Sequence, residues 1–374
     1  MNQTCLLCGS NDWQWLVTGF DRLQATDADY EYCRCKRCGL VSLQTPVACD
    51  AIGNLYPPDY PPHQPSGNGI PKSRVTRLAI RHYYSPESST GSRLLRSIFK
   101  LLSSRIMRDV CEPRGPCRLL DLGCGSGDLM ARHQALGWEV FGIDHDARAC
   151  AACRARGLAV HEGTIFDAPQ GEKFDVVLIS HLIEHVRDPV IVLRAAAKFL
   201  ADQGRIVLRT PNIQSAAFKL YGSCWFALDA PRHVHLFTPH TIRRLAERAG
   251  LVVCRLKTYF DPMIYCNSRH YSLTQGRRLP RPIEERKVLL SASNRHHKKH
   301  RVFRQLTFPL ASLSLLGKGD LLEVELERAE NRVAKSVKPP NAMRLRRHGK
   351  IHREGAKARK ENCSSFFRAF APWR

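Results

Sequence analysis

From residue 117 onward, short apolar runs alternate with amphipathic stretches. In order they read "CRLLDLG", "DLMARHQALG", "WEVFGID", "ARACAACRARG", "LAVHEG", "FDVVLIS", "DPVIVLRAAAKFL" and "GRIVLRT". Runs such as Val176–Ile179 are apolar without alternation, as in a strand covered on both faces, and the stretches between them carry apolar residues at helical spacing. This rhythm predicts an α/β fold with a doubly wound, mostly parallel sheet and helices on both faces. The helix pattern "TPHTIRRLAERAG" leads to "LVVCRLKTY", and much later comes "DLLEVELERA". These two late strands are expected to pair at one sheet edge, leaving 261–317 as an insertion on the substrate side.

Upstream the pattern changes. Residues 1–50 mix aromatic and β-branched residues with paired cysteines, and "LYPPDYPPHQPSGNGIP" then continues neither a helix nor a central strand. Segment 92–108, "SRLLRSIFKLLSSRIMR", places apolar residues on one helical face and bases opposite, which suits packing on the next domain or contact with a membrane surface. The expected organisation is a small module over 1–50, a linker with a basic amphipathic helix over 51–116, an α/β domain over 117–330 and a tail over 331–374.

Charge adds a second layer. The 374 residues carry a formal net charge of +24, and residues 331–374 hold 13 Lys and Arg against 2 Asp and Glu. Such a tail reads as solvated and disordered, although it would also hold nucleic acid or anionic lipid through nonspecific attraction. No run approaches ~20 apolar residues, the length of a membrane span. The N-terminus "MNQTCLLCGS" lacks the form of a secretory signal, so a cytoplasmic location with mostly reduced thiols is expected.

The first strand ends in "DLGCGSGD", residues 121–128. Gly123, Gly125 and Gly127 supply a turn that lets a ligand approach the backbone, but their G-x-G-x-G spacing differs from the dinucleotide G-x-G-x-x-G. Asp121 and Asp128 crowd the turn with negative charge where a pyrophosphate would need positive potential. Asp144 ends the second strand, where a carboxylate accepts hydrogen bonds from a ribose. A nucleoside with a cationic centre and an amino acid, S-adenosylmethionine, satisfies all three observations.

With these residues the chain resembles the class I, Rossmann-like S-adenosylmethionine-dependent methyltransferases. The likeness runs through "LLDLGCGSGDLMARHQALGWEVFGIDHD", "KFDVVLISHLIEHVRDPVIVLRAAAKFLADQGRIVLRTPN" and "PRHVHLFTPHTIRRLAERAGL". It implies a seven-stranded sheet and a donor site formed by Asp121, Gly123, Cys124, Gly125, Gly127, Asp144, His145, Thr164, Ile165 and Ser180. "SHLIEHVRDP" places His181 and His185 where an acceptor proton would be removed, and "GSCWFALDAPRHVHLFT" adds either His233 as a third candidate base and Arg232 as an anchor for an anionic acceptor, or a set of residues that fix their own loop by hydrogen bonds. Glu184 and His185 resemble the Glu-His pair of quinone-biosynthesis O-methyltransferases. A divalent metal on His181, Glu184 and His185 is one arrangement this spacing allows; the other is that Glu184 and His185 orient the loop before Asp188.

Cys5 with Cys8 and Cys35 with Cys38 form two C-x-x-C pairs, the ligand set of a closed, structural zinc site, with Cys33 as a competitor for Cys35. A zinc ribbon, then "YPPDY", then a methyltransferase domain is similar to a bacterial subgroup associated with polysaccharide or secondary-metabolite pathways. The expected acceptor is a small molecule, glycan or nucleotide-linked sugar, methylated on oxygen or, as in related sugar enzymes, on carbon. The alternative is an RNA methyltransferase gripping its substrate with ribbon and tail, although the tail carries interleaved aromatics only in "SSFFRAFAPW".

Overall fold

The computed structural model describes residues 3–22, 28–44, 55–56, 110–113, 117–273 and 316–331. The amphipathic helix expected over 92–108, most of the 261–317 insertion and the basic tail lie outside the described residues. Among the described residues no helix is long and apolar enough to cross a membrane.

The large sheet follows the apolar rhythm of the sequence. Its strands are β4 (Arg118–Leu122), β5 (Glu139–Asp144), β6 (Val160–Glu162), β7 (Phe174–Ser180), β8 (Leu200–Pro211), β10 (Leu251–Tyr259) and β11 (Leu321–Arg328). Their spatial order is β10-β11-β8-β7-β4-β5-β6. β6, β5, β4, β7 and β8 run parallel. β11 lies antiparallel between β8 and β10. The two late strands therefore pair as expected, and the second is drawn inside the sheet. Val176, Val177, Leu178 and Ile179 are all fully buried, which is why that strand reads as an uninterrupted apolar run.

The helices are α1 (Asp128–Gln134), α2 (Ala147–Ala155), α3 (Pro189–Lys198), α4 (Ala216–Tyr221), α5 (Pro239–Arg248) and α6 (Pro262–Leu273). Local chemistry starts several of them. Asp146 caps α2 by accepting from the amides of Arg148 and Ala149, and Asp188 caps α3 through those of Val190 and Ile191. α1 instead begins at Gly127, whose φ of 77° is left-handed and whose added Cβ would lie 2.5 Å from Leu158 Cδ1. Because β4 pairs with β5 on one side and β7 on the other, the chain reverses direction there and opens a crevice at the carboxyl ends of the strands.

A second sheet has the order β1-β2-β3-β9, formed by β1 (Trp13–Phe20), β2 (Asp29–Cys35), β3 (Val41–Leu43) and β9 (His235–Leu236). The amino-terminal module thus does not close on itself. Its exposed edge, β3, takes a strand from the loop after α4, pairing Val41 with Leu236 and Ser42 with His235. One apolar cluster joins Val17, Tyr32, Val41 and Leu43 to Trp225, Ala227, Leu228, Ala230 and Ile264. The two sheets accordingly lie in one compact unit.

Candidate functional site

The crevice has two walls. On the first, the glycine turn folds back on the end of β5, where the Gly125 amide donates to Asp144 Oδ2 at 2.8 Å and the Asp146 amide to Oδ1 at 3.0 Å. The Gly163 amide donates to the Asp144 carbonyl at 2.8 Å, so the loop after β6 is tied to the same residue. Each carboxylate oxygen keeps a second lone pair for a ligand hydroxyl. Asp121, buried at the end of β4, has its pKa raised to about 8, first by burial and then by the neighbouring Asp144 charge, with Arg209 pulling the other way.

The other expected donor residues surround this carboxylate pair unevenly. Gly123 takes a φ of 71° and donates its amide to the Ile143 carbonyl at 2.8 Å. Cys124 is buried, with its thiol among core residues that include Met130 and Val140. His145 is exposed, its Nδ1 3.8 Å from Asp144 Oδ1. The Thr164 amide donates to Asp167 Oδ1 at 2.7 Å, and Ile165 is buried beside it. Ser180 closes β7, in register with Arg209 of β8.

The second wall gathers side chains that are distant in sequence. Glu184 is fully buried, accepting from the Thr210 hydroxyl at 3.0 Å and from His181 Nδ1 at 3.2 Å. Burial pushes its pKa up, but the His181 hydrogen bond and the charges of His181, His233 and His185 outweigh that and hold it down to about 2. His181 itself leaves β7 with a left-handed φ of 54° and is half exposed. The backbone carbonyl of Glu184 accepts from the amides of Val234 at 2.7 Å and His235 at 3.2 Å, which fastens the two loops together.

His233 is buried against this carboxylate. Its Nδ1–H donates to the Ala227 carbonyl at 2.8 Å, so in the neutral ring Nε2 carries the lone pair, 4.0 Å from both Glu184 Oε1 and Asp229 Oδ2. The His185 ring stands edge-on to that of His233, with centroids 4.6 Å apart, and its Nδ1 lies 3.2 Å from the Tyr56 hydroxyl. Burial, reinforced by His233, lowers the His185 pKa to about 4. The carboxylate of Glu184 and one ring nitrogen each of His185 and His233 lie within 4.8 Å of one another. The three side chains that converge are therefore Glu184, His185 and His233, with His181 bonded to Glu184 from its exposed side.

Two residues of the 222–238 loop have structural partners. Arg232, expected to anchor an anionic acceptor, is wholly buried between Asp21 Oδ1 at 3.0 Å and Asp229 Oδ1 at 2.7 Å. Its charge is spent inside the protein. His235 donates from Nε2 to the Arg187 carbonyl at 3.1 Å and accepts at Nδ1 from Ser42 at 2.9 Å. Tyr56, Asp229 and Thr210 join the site although no local spacing marks them in the sequence; the aromatic-proline run around Tyr56 is the one available signal.

The four cysteines converge at the tip of the second sheet. Cys5 and Cys38 sulfurs are 3.5 Å apart, as are those of Cys8 and Cys35, and all four lie within 4.8 Å of one another. Ligands on a tetrahedral zinc at about 2.3 Å stand about 3.8 Å apart, so the set fits that ion. Cys33 is buried but does not belong to this group.

A methyltransferase domain family matches residues 85–256. The chain is similar to the ubiquinone biosynthesis O-methyltransferase of Cereibacter sphaeroides, with 34% identity over 160 residues that cover 39% of this chain and 65% of that protein. It is also similar to the protein of that name from Nitrobacter winogradskyi, with 31% identity over 199 residues, 50% of this chain and 71% of that one. The chain thus spans 65% of the length of the first of these relatives. A solved SAM-dependent methyltransferase from Archaeoglobus fulgidus superposes with a TM-score of 0.38 at 20% identity, covering 61% of this chain and 94% of that one.

Proposed function

The chain belongs to the S-adenosylmethionine-dependent methyltransferase family, and we propose that it moves the donor's methyl group onto a hydroxyl of a small-molecule or glycan acceptor. The observation that carries this reading is the meeting, at one end of the sheet, of a carboxylate and glycine cradle with a buried imidazole flanked by two carboxylates. The relatives' name, O-methyltransferase, favours oxygen as the accepting atom.

In this reading Asp144 accepts the ribose hydroxyls, and the glycine turn admits the donor's amino-acid end beside Asp121. The acceptor oxygen attacks the methyl carbon in line; the new O–C bond forms as the C–S bond breaks, and the sulfonium leaves as the neutral thioether S-adenosylhomocysteine. The hydroxyl proton passes to Nε2 of His233. Its Nδ1–H bond to Ala227 holds the ring, and Glu184 and Asp229 stabilise the imidazolium that forms.

Cys5, Cys8, Cys35 and Cys38 would hold a structural zinc with no open position, leaving it no part in the chemistry. The convergence of Glu184, His185 and His233 favours a second reading of the acceptor wall, in which they hold a divalent cation. That ion would polarise the acceptor hydroxyl when bound. Activity of zinc-loaded protein dialysed free of other divalent cations, with and without added magnesium or manganese, separates the two.

Calorimetry with S-adenosylhomocysteine tests the donor half directly. The intact protein should bind one equivalent, and Asp144→Ala should weaken binding by about 100-fold through loss of charge-assisted hydrogen bonds. Methyl-labelled donor incubated with cell extract should then label a small molecule. Absence of any uptake by correctly folded protein would sink the proposal.

A further inference from the structure

The contacts between the cysteine-bearing module and the 222–238 loop are buried and specific, and they converge on His233. The Tyr32 hydroxyl of β2 donates to the His233 carbonyl at 2.8 Å. The Leu43 amide of β3 donates to the Val234 carbonyl at 2.9 Å, and Ser42 holds the His235 ring. Asp21, just past β1, neutralises Arg232 with both side chains fully buried. Arg22 donates to the carbonyls of Trp225, at 2.9 Å, and Ser223, with its guanidinium 4.5 Å from the Tyr271 ring centre. Leu55 and Tyr56 extend the same side of the molecule, one accepting from Arg232 and the other meeting His185.

We infer that the cysteine module is the strut of the acceptor wall. Tyr32, Ser42, Asp21 and Arg22 are positioning residues for His233, and closure of the four cysteines on zinc sets the acceptor half without being needed by the donor half. The physical reason is the topology. Among the described residues β9 pairs as a strand only with β3, so while the Glu184 carbonyl holds the amides of Val234 and His235 from one side, β3, the Tyr32 hydroxyl and the Asp21–Arg232 pair hold residues 232–236 from the other. The donor cradle's bonds join the glycine turn, the end of β5 and the loop after β6, in a sheet that shares no strand with the module. A short three-stranded module with so little core of its own needs the metal cross-link to hold its edge straight.

This inference rests on the methyltransferase reading for the role of His233, but its test does not need an acceptor. Zinc is stripped from the full-length protein with a chelator. Amide hydrogen exchange is then followed by mass spectrometry, S-adenosylhomocysteine binding by calorimetry and the His233 ring by nitrogen NMR. Exchange over 233–236 should accelerate by at least about tenfold, the signature of local opening. Protection over 118–144 and ligand affinity should change by less than about twofold, and one equivalent of zinc should restore the loop. Tyr32→Phe, which keeps zinc and the ring, should loosen 233–236 alone and blur the Nδ1–H tautomer signature of His233. Unchanged protection of 233–236 in both samples overturns the inference, and so does loss of ligand binding in step with zinc. Failure of the intact protein to bind S-adenosylhomocysteine would instead strike the methyltransferase reading.

Discussion

The two walls of the crevice are built by different rules. The wall proposed for the donor is local: Asp121, the three glycines, Asp144 and Gly163 lie within 43 consecutive residues, and backbone amides make most of its contacts. The wall proposed for the acceptor is assembled from Tyr56, His181, Glu184, His185, Thr210, Asp229 and His233, most of them joined by side chains across 20 residues or more. A ligand common to a whole family can be read by backbone shape, whereas an acceptor that differs between members is met by side chains on loops. If so, damage to one wall should leave the other working.

The largest effect is expected at His233. His233→Ala should lower turnover by about 10²–10⁴-fold, the usual worth of a positioned base, with S-adenosylhomocysteine affinity unchanged by calorimetry. Parallel loss of both would erase the distinction between the walls.

Next comes Arg232. Arg232→Met strands Asp21 and Asp229 in the interior and should cost about 3–5 kcal/mol in urea unfolding, far more than a surface pair would. Retention of full stability would mean that the module and the loop are not coupled through this ion pair.

The pH dependence of donor binding is smaller and sharper. Asp121 keeps its proton up to about pH 8 in the folded protein, and a cationic donor prefers the carboxylate, so binding expels the proton. The dissociation constant should therefore fall by about tenfold between pH 7 and pH 9. The same raised pKa makes the unliganded fold lose stability as pH climbs from the ordinary carboxyl range through about 8. Asp121→Asn should flatten both slopes, and a slope that survives the substitution would assign it to another group. The smallest change is expected at the exposed His145, where alanine should alter donor affinity by less than about threefold.

Legibility followed the same division. The apolar runs predict all seven strands of the large sheet, and the G-x-G-x-G spacing sets the turn apart from a dinucleotide site; the flanking charge counted in the sequence is largely cancelled in the fold, where burial keeps Asp121 protonated and Asp128 pairs with Arg156 at 2.8 Å. The cysteine pairs also announce their convergence, because each knuckle is short and self-contained. Arg232 shows the limit. A lone arginine in a loop looks the same in sequence whether it faces a ligand or a buried aspartate 211 positions away. Likewise the sequence groups His181 with Glu184 and His185, and His181 does bond to Glu184 at 3.2 Å, but the ring with a nitrogen within 4.8 Å of both Glu184 and His185 is His233.

The sequence alone determined the strand rhythm, the donor cradle and the four-cysteine knot, since each depends on residues close enough along the chain for periodicity and turn chemistry to specify them. Tertiary structure decided that the knot would lend its sheet edge to residues 235–236, that Arg232 would be silenced between two carboxylates, and that Tyr56 would meet His185. Those outcomes depend on which buried polar groups find partners once the two sheets share a core, a balance of desolvation and pairing that no local pattern records.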